Sequence, residues 1–594
     1  MKKLFITTAS ILALSTSGAY AQMVQTSDID QDGTGNIAAV NQTGGQEGMS
    51  VIDQDGDENL ADVTQSEDPV GSNSFNTAAN SSDITQEGNN GEVFVVQENS
   101  DAGASTNTAT VEQNSDNANA TGNDGNGDGN FASNYASIAQ GNAGAAPATG
   151  VGNTASISQG TLGGAAVSGN EAFVTQDGNG NSSANFQTGN NDFLSVATTG
   201  DGNTADNSQS DGEDNYVTVV QNGSDNTSMT DQAGDLNIAN VAQDGSDHVS
   251  DVLQDGLLNV ANVNQDGVNN DSDIDQETGS FAAGTLANVT QSGSDNESDV
   301  TQLATGNPSG LVGADVVQSG TGETSIVNQS ATGDVSGLLG ASVNQSGSDN
   351  TSLVTQDASN LLSGAFEADV TQAGTDGSAT IDQSSDSAVD YTLAATINQI
   401  SGNGNTASIV QRDDDNTATT TQVGNANTST VTQDSGFFVS IPFVGSVEFN
   451  ESGGNTATVV QDGDDNDSTV NQGATGNIAF VDQIGVGNDS LVNQSGDNSN
   501  ADVNQNGTDG SSVVTQNGDN QFAMLTQGGF DNLSEITQDG DGNDAWVTQG
   551  LSDNESYITQ DGDGNDATHN QLATSGNIAT TIQMGTGNAA TVNQ

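Results

Sequence analysis

The chain has 594 residues, of which 80 are Asp or Glu and three are Lys or Arg, so its formal net charge is −77 at pH 7. This charge excludes nucleic acid and anionic membrane surfaces as partners, because both are bound through cationic side chains. With 31% hydrophobic residues, 4% aromatic residues and 75 Gly, the composition also excludes the aliphatic and aromatic core of a large globular enzyme.

Residues 1–21 have the pattern of a signal peptide. Lys2 and Lys3 form a basic start, residues 4–14 are apolar, and residues 19–21 read Ala-Tyr-Ala, which is typical of a cleavage site. We therefore expect a mature chain that begins at Gln22 and keeps Arg412 as its only Lys or Arg. No later apolar run reaches the roughly 20 residues that span a bilayer, so we expect a secreted product without membrane insertion. The chain has no Cys and hence no disulfide.

The rest of the chain repeats an 11-residue phrase that is clearest near its C-terminus. Each repeat contains a Gln, with Val or Ile two residues earlier, Ala or Ser four earlier, often Asn six earlier, and often Gly two later. These positions before the Gln share one parity, so in an extended chain their side chains point to the same face. The intervening residues are mostly polar, and a cluster of Gly, Asp and Asn follows. The phrase predicts one strand and one turn.

A second period of 22 residues lies on the first. Four residues before the Gln, Ala457, Ser468, Ala479 and Ser490 alternate. We predict an all-β fold, a β-solenoid of stacked strand-turn-strand rungs with two 11-residue units per rung. If the two strands of a rung face each other in opposite directions, the Ala or Ser of one opposes the Val or Ile of the other, and Asn opposes Gln.

The inward amides are candidate structural residues. Each buried amide would cost about 1–3 kcal/mol without a partner, but stacked copies can donate to one neighbour and accept from the other. The predicted ladder residues are Gln461, Gln472, Gln483, Gln494, Gln505, Gln516, Gln527, Gln538, Gln549, Gln560, Asn466, Asn477, Asn488, Asn532, Asn543, Asn554 and Asn565.

In chain order, the spacing of the Gln residues divides the mature chain into four parts. Residues 22–209 have irregular repeats with loop inserts, and Thr198 replaces one ladder Gln. Residues 210–275 have regular repeats. Residues 276–399 have alternate long turns, whose Leu311, Val312, Leu338, Leu339, Leu361, Leu362 and Tyr391 form either a stripe for lateral contacts or, as we favour, a small extra core. Residues 400–594 are regular except for a hydrophobic insert at 434–454.

The insert holds Phe437, Phe438, Phe443 and Phe449 around Pro442, and we interpret it as a protruding hairpin. An apolar projection on an acidic chain is a candidate contact surface, and folding back onto the flank is the alternative.

Acidic turns are the candidate cation sites. Asp539 and Asp541 lie 22 residues before Asp561 and Asp563, so the two turns should stack. Calcium takes oxygen ligands in Asp- and Gly-rich loops, whereas the alternative, which the sequence favours, is a solvated acidic edge. No other cofactor or assured metal site is predicted.

Three further residue types give no catalytic pattern. His248 replaces a ladder Asn and His569 a core Val, which we interpret as tolerated substitutions. Trp546 and Tyr557 point outward and are expected at the surface. With Arg412 as the only cation of the mature chain and carboxylates spread along edges, we expect no enzyme activity.

The phrase resembles the curlin repeat of curli fibre subunits, especially the nucleator-type repeats. Residues 538–549, QDGDGNDAWVTQ, show every element. The resemblance implies that Gln538, Asn543, Gln549, Asn554 and Gln560 are ladder residues and that Gly540 and Gly562 permit the turns. The chain departs from familiar subunits in its larger number of repeats and its acidity, and it lacks a distinct Gly- and Asn-rich segment before the first repeat.

The resemblance implies a secreted structural protein, a curli-like extracellular amyloid fibre subunit of biofilm matrix or cell-surface adhesion, outside a Gram-negative bacterium. Its implied partners are further copies of itself, other curli-like subunits or a nucleator, and outer-membrane secretion machinery. The alternative function is a monomeric acidic β-solenoid that serves as a surface adhesin or spacer and binds calcium.

Overall fold

The computed structural model describes residues 25–44, 48–67, 80–99, 106–115, 134–141, 152–160, 169–279, 284–305, 310–332, 337–358, 365–384, 392–412, 415–434, 438–441, 445–448 and 454–594. Within these ranges every regular element is a β-strand, so the all-β prediction is confirmed. The signal-peptide prediction for residues 1–21 lies outside the described residues. The chain divides into two compact units, residues 1–269 and 270–594.

Unit 1 contains eighteen strands, most of them one 11-residue phrase without its turn. They are β1 Thr26–Asp32, β2 Ile37–Gly44, β3 Met49–Asp55, β4 Leu60–Glu67, β5 Ser81–Gly88, β6 Glu92–Asn99, β7 Thr108–Ser115, β8 Tyr135–Gly141, β9 Thr154–Gln159, β10 Glu171–Asn179, β11 Ser182–Gln187, β12 Phe193–Asp201, β13 Thr204–Ser210, β14 Tyr216–Ser224, β15 Thr227–Asp235, β16 Ile238–Ser246, β17 Val249–Leu257 and β18 Asn259–Val268.

Unit 2 contains the other strands that the structure describes. They are β19 Asp271–Thr278, β20 Thr285–Ser294, β21 Glu297–Ala304, β22 Val312–Thr321, β23 Thr324–Ser330, β24 Leu339–Ser348, β25 Thr351–Asp357, β26 Ala365–Gln372, β27 Ser378–Ser384, β28 Thr392–Ser401, β29 Thr406–Arg412, β30 Asn416–Val423, β31 Thr428–Asp434, β32 Phe438–Ile441, β33 Gly445–Glu448, β34 Thr456–Asp464, β35 Asp467–Gly473, β36 Ile478–Val486, β37 Asp489–Gln494, β38 Asn500–Thr508, β39 Ser511–Asn517, β40 Phe522–Phe530, β41 Leu533–Asp539, β42 Asp544–Gln549, β43 Glu555–Asp561, β44 Asp566–Gln571, β45 Ile578–Met584 and β46 Ala589–Asn593.

Alternate strands stack in parallel in each unit. In unit 2, β41 pairs with β43 and β40 with β42, each in register, so that Gln538 lies on Gln560 and Gln527 on Gln549. Unit 1 repeats the arrangement, with β14 on β16 and β13 on β15. Odd-numbered strands thus form one sheet of each unit and even-numbered strands the other, except for the hairpin strands β32 and β33. Two strands per rung confirm the β-solenoid and its 22-residue period.

Small and branched residues meet across the core as the sequence predicts. His569, two residues before Gln571, is hydrogen-bonded to Ser556, four residues before Gln560 on the facing strand. Thr420 and Ser429 make the same contact at 3.2 Å. The inward Ala and Val side chains are buried, as at Ala545 (0% exposed) and Val547 (1%). The core therefore stays thin and even, and small side chains fill it.

Residues beside the long turns of unit 2 form an extra apolar core. Ala304, Val312, Ala331, Leu339, Ala358, Phe366 and Leu393 form one buried cluster. Four of them, Val312, Leu339, Phe366 and Leu393, occupy the place of Asn six residues before a Gln. The favoured prediction is confirmed for Val312 and Leu339, whereas Leu311 and Leu338 are exposed. Leu361, Leu362 and Tyr391 lie outside the described residues.

The insert at 434–454 contains an antiparallel hairpin, in which β32 pairs with β33. This pairing agrees with the hairpin interpretation. Phe437, Pro442, Phe443 and Phe449 lie outside the described residues, so whether the insert projects or folds back stays open.

Candidate functional site

Ladders of hydrogen-bonded Gln side chains run inside each unit. In unit 2, Gln538 Nε2 donates to Gln560 Oε1 at 2.9 Å and Gln527 Nε2 to Gln549 Oε1 at 2.8 Å. Bonds of the same kind link the other predicted ladder residues, Gln461 to Gln483, Gln483 to Gln505, Gln505 to Gln527, Gln472 to Gln494, Gln494 to Gln516 and Gln516 to Gln538. All of these side chains are buried.

The second amide proton of each Gln ties the two sheets together. Gln549 Nε2 also donates, at 3.0 Å each, to the backbone carbonyls of Leu533, which begins β41, and of Asn554, which comes just before β43. Gln538 does the same with Phe522 and Asn543. These ladder Gln side chains are therefore bonded both along the stack and across the core.

The ladder bonds named above all run in the same direction. The donor is the Nε2 of the earlier residue and the acceptor is the Oε1 of the Gln one rung later, from Gln54 to Gln86 in unit 1 and from Gln571 to Gln594 in unit 2. A rung thus presents acceptors on the side of its predecessor and donors on the side of its successor.

The Asn residues six positions before the ladder Gln residues also stack, and we call these stacks the Asn columns. Their side chains bond mainly to backbone, whereas the sequence predicted bonds from amide to amide. Asn543 Nδ2 donates to the turn carbonyls of Asp539 and Gly562 at 3.1 and 2.7 Å, and its Oδ1 accepts the backbone N–H of Asn565 at 2.9 Å. The Asn side chain is one methylene shorter than Gln and stands at the start of the strand, so it reaches the backbone of the turn. Direct amide–amide bonds occur only in part, as from Asn565 to Asn543 at 3.0 Å.

The other predicted Asn residues follow the same rule. All are buried, and each bonds turn backbone or the next rung; these are Asn466, Asn477, Asn488, Asn532, Asn554 and Asn565. The Asn columns therefore hold the turns in place, and the Gln ladders hold the two sheets together.

Among the residues that interrupt the columns, the sequence analysis identified Thr198 but not Asp192 or Glu323. Thr198 replaces a Gln in unit 1, and neither its Oγ1 nor the Oε1 of Gln221 above it has a hydrogen-bond partner within the described chain. Asp192 and Glu323 replace Asn six residues before Thr198 and Gln329, and both are fully buried. A residue other than Asn six positions before a ladder position was the sequence signal that could have identified Asp192 and Glu323.

The two His residues lie in the core. His248 is buried in the Asn column, its backbone N–H bonds Asn226 Oδ1 at 3.1 Å, and its Nε2 lies 3.2 Å from the Asp244 carbonyl. His569 bridges Ser556 at 2.8 Å and Thr581 at 2.7 Å. Burial lowers the pKa of His569 to about 4, so its imidazole is neutral at pH 7. Both substitutions are accommodated by hydrogen bonds.

The acidic turns use carboxylates as backbone acceptors. Asp563 Oδ1 accepts the N–H of Asp541 at 3.2 Å, and Asp541 Oδ1 accepts the N–H of Asp519 at 3.4 Å. Asp539 lies in register with Asp561 at the ends of β41 and β43, and both are exposed. Among the described residues no group of three or more His, Asp or Glu is placed to hold a metal ion. Calcium binding by these turns stays a prediction.

Turn glycines are required where successive rungs approach. Gly540 and Gly562 have φ of 98° and 114°, in the region that favours glycine. A Cβ on Gly540 would lie 2.5 Å from the Gly562 carbonyl oxygen. The column therefore excludes any side chain at this position.

An aromatic column lies on the outward face of the even-numbered strands of unit 1. Phe94, Tyr135, Phe173, Phe193 and Tyr216 stack on successive strands, with ring centroids 5.6, 5.2, 5.8 and 4.6 Å apart. Loop inserts separate these residues in sequence, which hid the column from the repeat analysis. Each such pair of rings stabilises the fold by about 0.5–1.5 kcal/mol in addition to the effect of its buried area.

The remaining surface residues offer weaker contacts. Trp546 is half-buried against Phe522, with centroids 5.8 Å apart, and the Tyr557 hydroxyl donates to Glu555 at 3.1 Å. Arg412 lies 3.9 Å from Asp434, with both side chains about half exposed, so this pair contributes little. No helix of the described chain has the length and apolar character needed to cross a membrane.

Comparison with known sequences agrees with this geometry. A family model described as the curlin associated repeat matches residues 212–245 and 513–540. The first segment includes β14 and β15, and the second includes β40 and β41. No curated protein is significantly similar to the chain. The chain therefore carries curlin associated repeats, with one matched segment in each of its two solenoid units.

Proposed function

We propose that the chain is an extracellular structural protein, a curli-like fibre subunit that associates with further copies of itself by rung-on-rung stacking. The fold and the curlin associated repeats support a structural role rather than a catalytic one. By the same resemblance, we propose other curli-like subunits or a nucleator as partners, secretion machinery of the outer membrane as the export route, and a biofilm or adhesion role.

The observation that carries the proposal is that rungs of the same kind stack in register, as β45 does on β43 and β46 on β44. Ala590 and Val592 occupy core positions but are only half-buried, whereas the equivalent Ala567 and His569 one rung earlier are fully buried. A rung with such a parallel edge and such core residues is a template for another strand.

The ladder polarity supports head-to-tail stacking. The Nε2 of one rung donates to the Oε1 of the next, as from Gln571 to Gln594 at 2.9 Å. Gln31 and Gln42, in β1 and β2, present Oε1 acceptors on the opposite side of their rungs. Donors therefore meet acceptors when two copies stack in the same direction.

The test compares two Lys substitutions on one strand. Val592→Lys places a charge at a core position, and Thr591→Lys places it on the outward, exposed face. We expect the wild type and Thr591→Lys to elongate preformed seeds and to bind amyloid dyes, and Val592→Lys to elongate at least about tenfold more slowly because it buries an unpaired charge.

Analytical ultracentrifugation decides between the two functions. A wild-type chain that stays monomeric for days at micromolar concentration, with seeds present, would favour the monomeric adhesin or spacer. Equal elongation by the two Lys variants would place the growing edge elsewhere.

A further inference from the structure

Two carboxyl groups occupy places where the repeat normally puts an amide. In the rungs on either side of Asp192, Asn170 Nδ2 donates to the Gly189 carbonyl at 2.9 Å and Asn215 Nδ2 to the Gly234 carbonyl at 2.7 Å. The Oδ1 of Asn170 accepts the N–H of Asp192 at 3.0 Å. Each position thus needs one acceptor for the next rung and one donor for the turn.

Asp192 supplies the acceptor and lacks the donor. Its Oδ1 accepts the N–H of Asn215 at 3.0 Å. Its Oδ2 is buried and has no hydrogen-bond partner in the described chain. A Cβ placed on Gly189 would lie 2.5 Å from this Oδ2 and even closer to the Gly212 carbonyl oxygen. The Oδ2 therefore stands beside the turn carbonyl, where its neighbours have an N–H.

Glu323 repeats the arrangement in unit 2. Its Oε2 accepts the N–H of Asn350 at 3.1 Å, and its buried Oε1 has no partner in the described chain. A Cβ on Gly320 would lie 2.7 Å from this Oε1 and also against the Gly347 carbonyl oxygen. At the next rung, Asn350 Nδ2 occupies the corresponding place and donates to Gly374 at 3.1 Å.

A charged carboxylate does not fit either place. It would direct a second anionic oxygen at a carbonyl oxygen in a buried site, and the nearby charges are also negative: Asp214 and Asp235 around Asp192, and Asp349 beside Glu323. A carboxylic acid fits, because its O–H replaces the missing N–H.

We propose that Asp192 and Glu323 are neutral carboxylic acids in the folded chain and act as proton-operated latches, donating an O–H to the turn carbonyls of Gly212 and Gly347. Loss of the proton leaves oxygen facing oxygen, so the latch opens and the turn loosens. Each unit of the solenoid contains one latch.

The shifts in pKa agree with this arrangement. Burial raises the pKa of Asp192 to about 7 against the opposing hydrogen bonds from Asn215, and the carboxylates of Asp214 and Asp235 raise it further. Burial likewise raises the pKa of Glu323. A raised pKa means that the folded chain keeps a proton which the unfolded chain has released. The stabilisation is therefore complete below the unfolded pKa of 3.8 for Asp192 and is lost as pH rises through about 7.

The test is amide hydrogen exchange of the full chain from pH 5 to pH 8.5, corrected for intrinsic exchange. We expect protection of residues 189–216 and 320–351 to fall by about tenfold or more as pH rises, since one pKa unit corresponds to a factor of ten. Asp192→Asn should abolish this fall in the first segment only, and Glu323→Gln in the second only. Asp247→Asn and Asp509→Asn, which change exposed turn residues, should leave both falls unchanged.

Infrared spectroscopy gives a readout that does not depend on unfolding. At pH 5.5 the wild type should show the stretching band of a buried protonated carboxyl, and the Asp192→Asn, Glu323→Gln double variant should lose it. Protection that is independent of pH in the wild type, or a band that survives in the double variant, would overturn the proposal.

Discussion

Thr198 interrupts the Gln ladder of the even-numbered strands of unit 1, and Gln221 lies on the next rung. Gln140 bonds Gln176 below the break, and Gln221 bonds Gln243 above it, both at 2.9 Å. Between them Thr198 is too short to reach either neighbour, and its hydroxyl and the Oε1 of Gln221 are left without partners in the described chain. A buried polar atom without a partner costs about 1–3 kcal/mol.

Thr198→Gln should therefore stabilise unit 1. It adds a bond from Gln176 and a bond to Gln221, and we expect the free energy of unfolding to rise by about 1–2 kcal/mol. Urea unfolding followed by circular dichroism measures the change, and Thr199→Gln, on the exposed face of the same strand, is the control. A destabilised Thr198→Gln variant would mean that the column has closed around the shorter side chain.

The contrast between Gln and Asn shows how far residue type and spacing can predict contacts. The Gln ladder follows from parity alone, because an inward Gln in register has only its copies within reach along the stack. The bonds of Asn543 to the turn backbone do not follow, because they depend on where the strand ends and on which carbonyls the turn presents. Because the contacts of the column Asn could not be predicted, the sequence also did not show that Asp192 and Glu323 differ from the exposed acidic residues.

At the scale of the strand and its turn, two neighbouring glycines distinguish two reasons for glycine: a backbone conformation with positive φ, and the lack of room for a side chain. Gly540 and Gly542 both have positive φ, of 98° and 65°. A Cβ on Gly540 would meet the Gly562 carbonyl oxygen at 2.5 Å, whereas one on Gly542 would have no described atom within 4 Å. Only the first glycine is required by stacking.

Gly542→Ala should cost about 1 kcal/mol, the usual cost of a left-handed conformation for Ala. Gly540→Ala should cost about 1–3 kcal/mol more, because the methyl group pushes against the next rung. The difference between the two urea midpoints is the measurement. Equal costs would show that the rungs separate easily at this turn.

The extra core of unit 2 could be predicted from the apolar residues in its long turns. Apolar residues in the long turns indicated an extra core, and the buried cluster contains Val312 and Leu339. The sequence did not predict that Phe366 and Leu393 take the place of the column Asn. Both side chains pack in the buried cluster with Val312 and Leu339.

At the scale of the whole molecule, stacking brings like charges together. Burial raises the pKa of Asp467, and the Asp489 carboxylate adds to the shift. Burial also raises the pKa of Asp544, and the Asp566 carboxylate adds to that shift. Because these pKa values are raised, the stabilisation is complete below the unfolded pKa of 3.8 and is lost as pH rises through the folded pKa. Rung formation should therefore take up protons.

Elongation should accelerate as pH falls toward the carboxylate range. The measurement is lag time against pH, sodium and calcium, since we also expect calcium to bridge stacked carboxylates at neutral pH. Asp467→Asn with Asp544→Asn should weaken the pH dependence. A variant with Asn at Asp539, Asp541, Asp561 and Asp563 tests the calcium effect separately. A lag time that ignores pH, salt and these substitutions would show that the acidic residues only confer solubility.

The single direction of the Gln ladders gives each unit an electrical axis. Backbone dipoles alternate along a strand and leave a sheet almost without net dipole. The ladder amides do not alternate, since every Nε2 points toward the next rung, as in Gln516, Gln538 and Gln560. Their dipoles, each about 3.5 D for an amide, add along the stack. The two faces of a rung therefore carry opposite partial charge, and the two ends of an assembly would grow at different rates even though every subunit is identical.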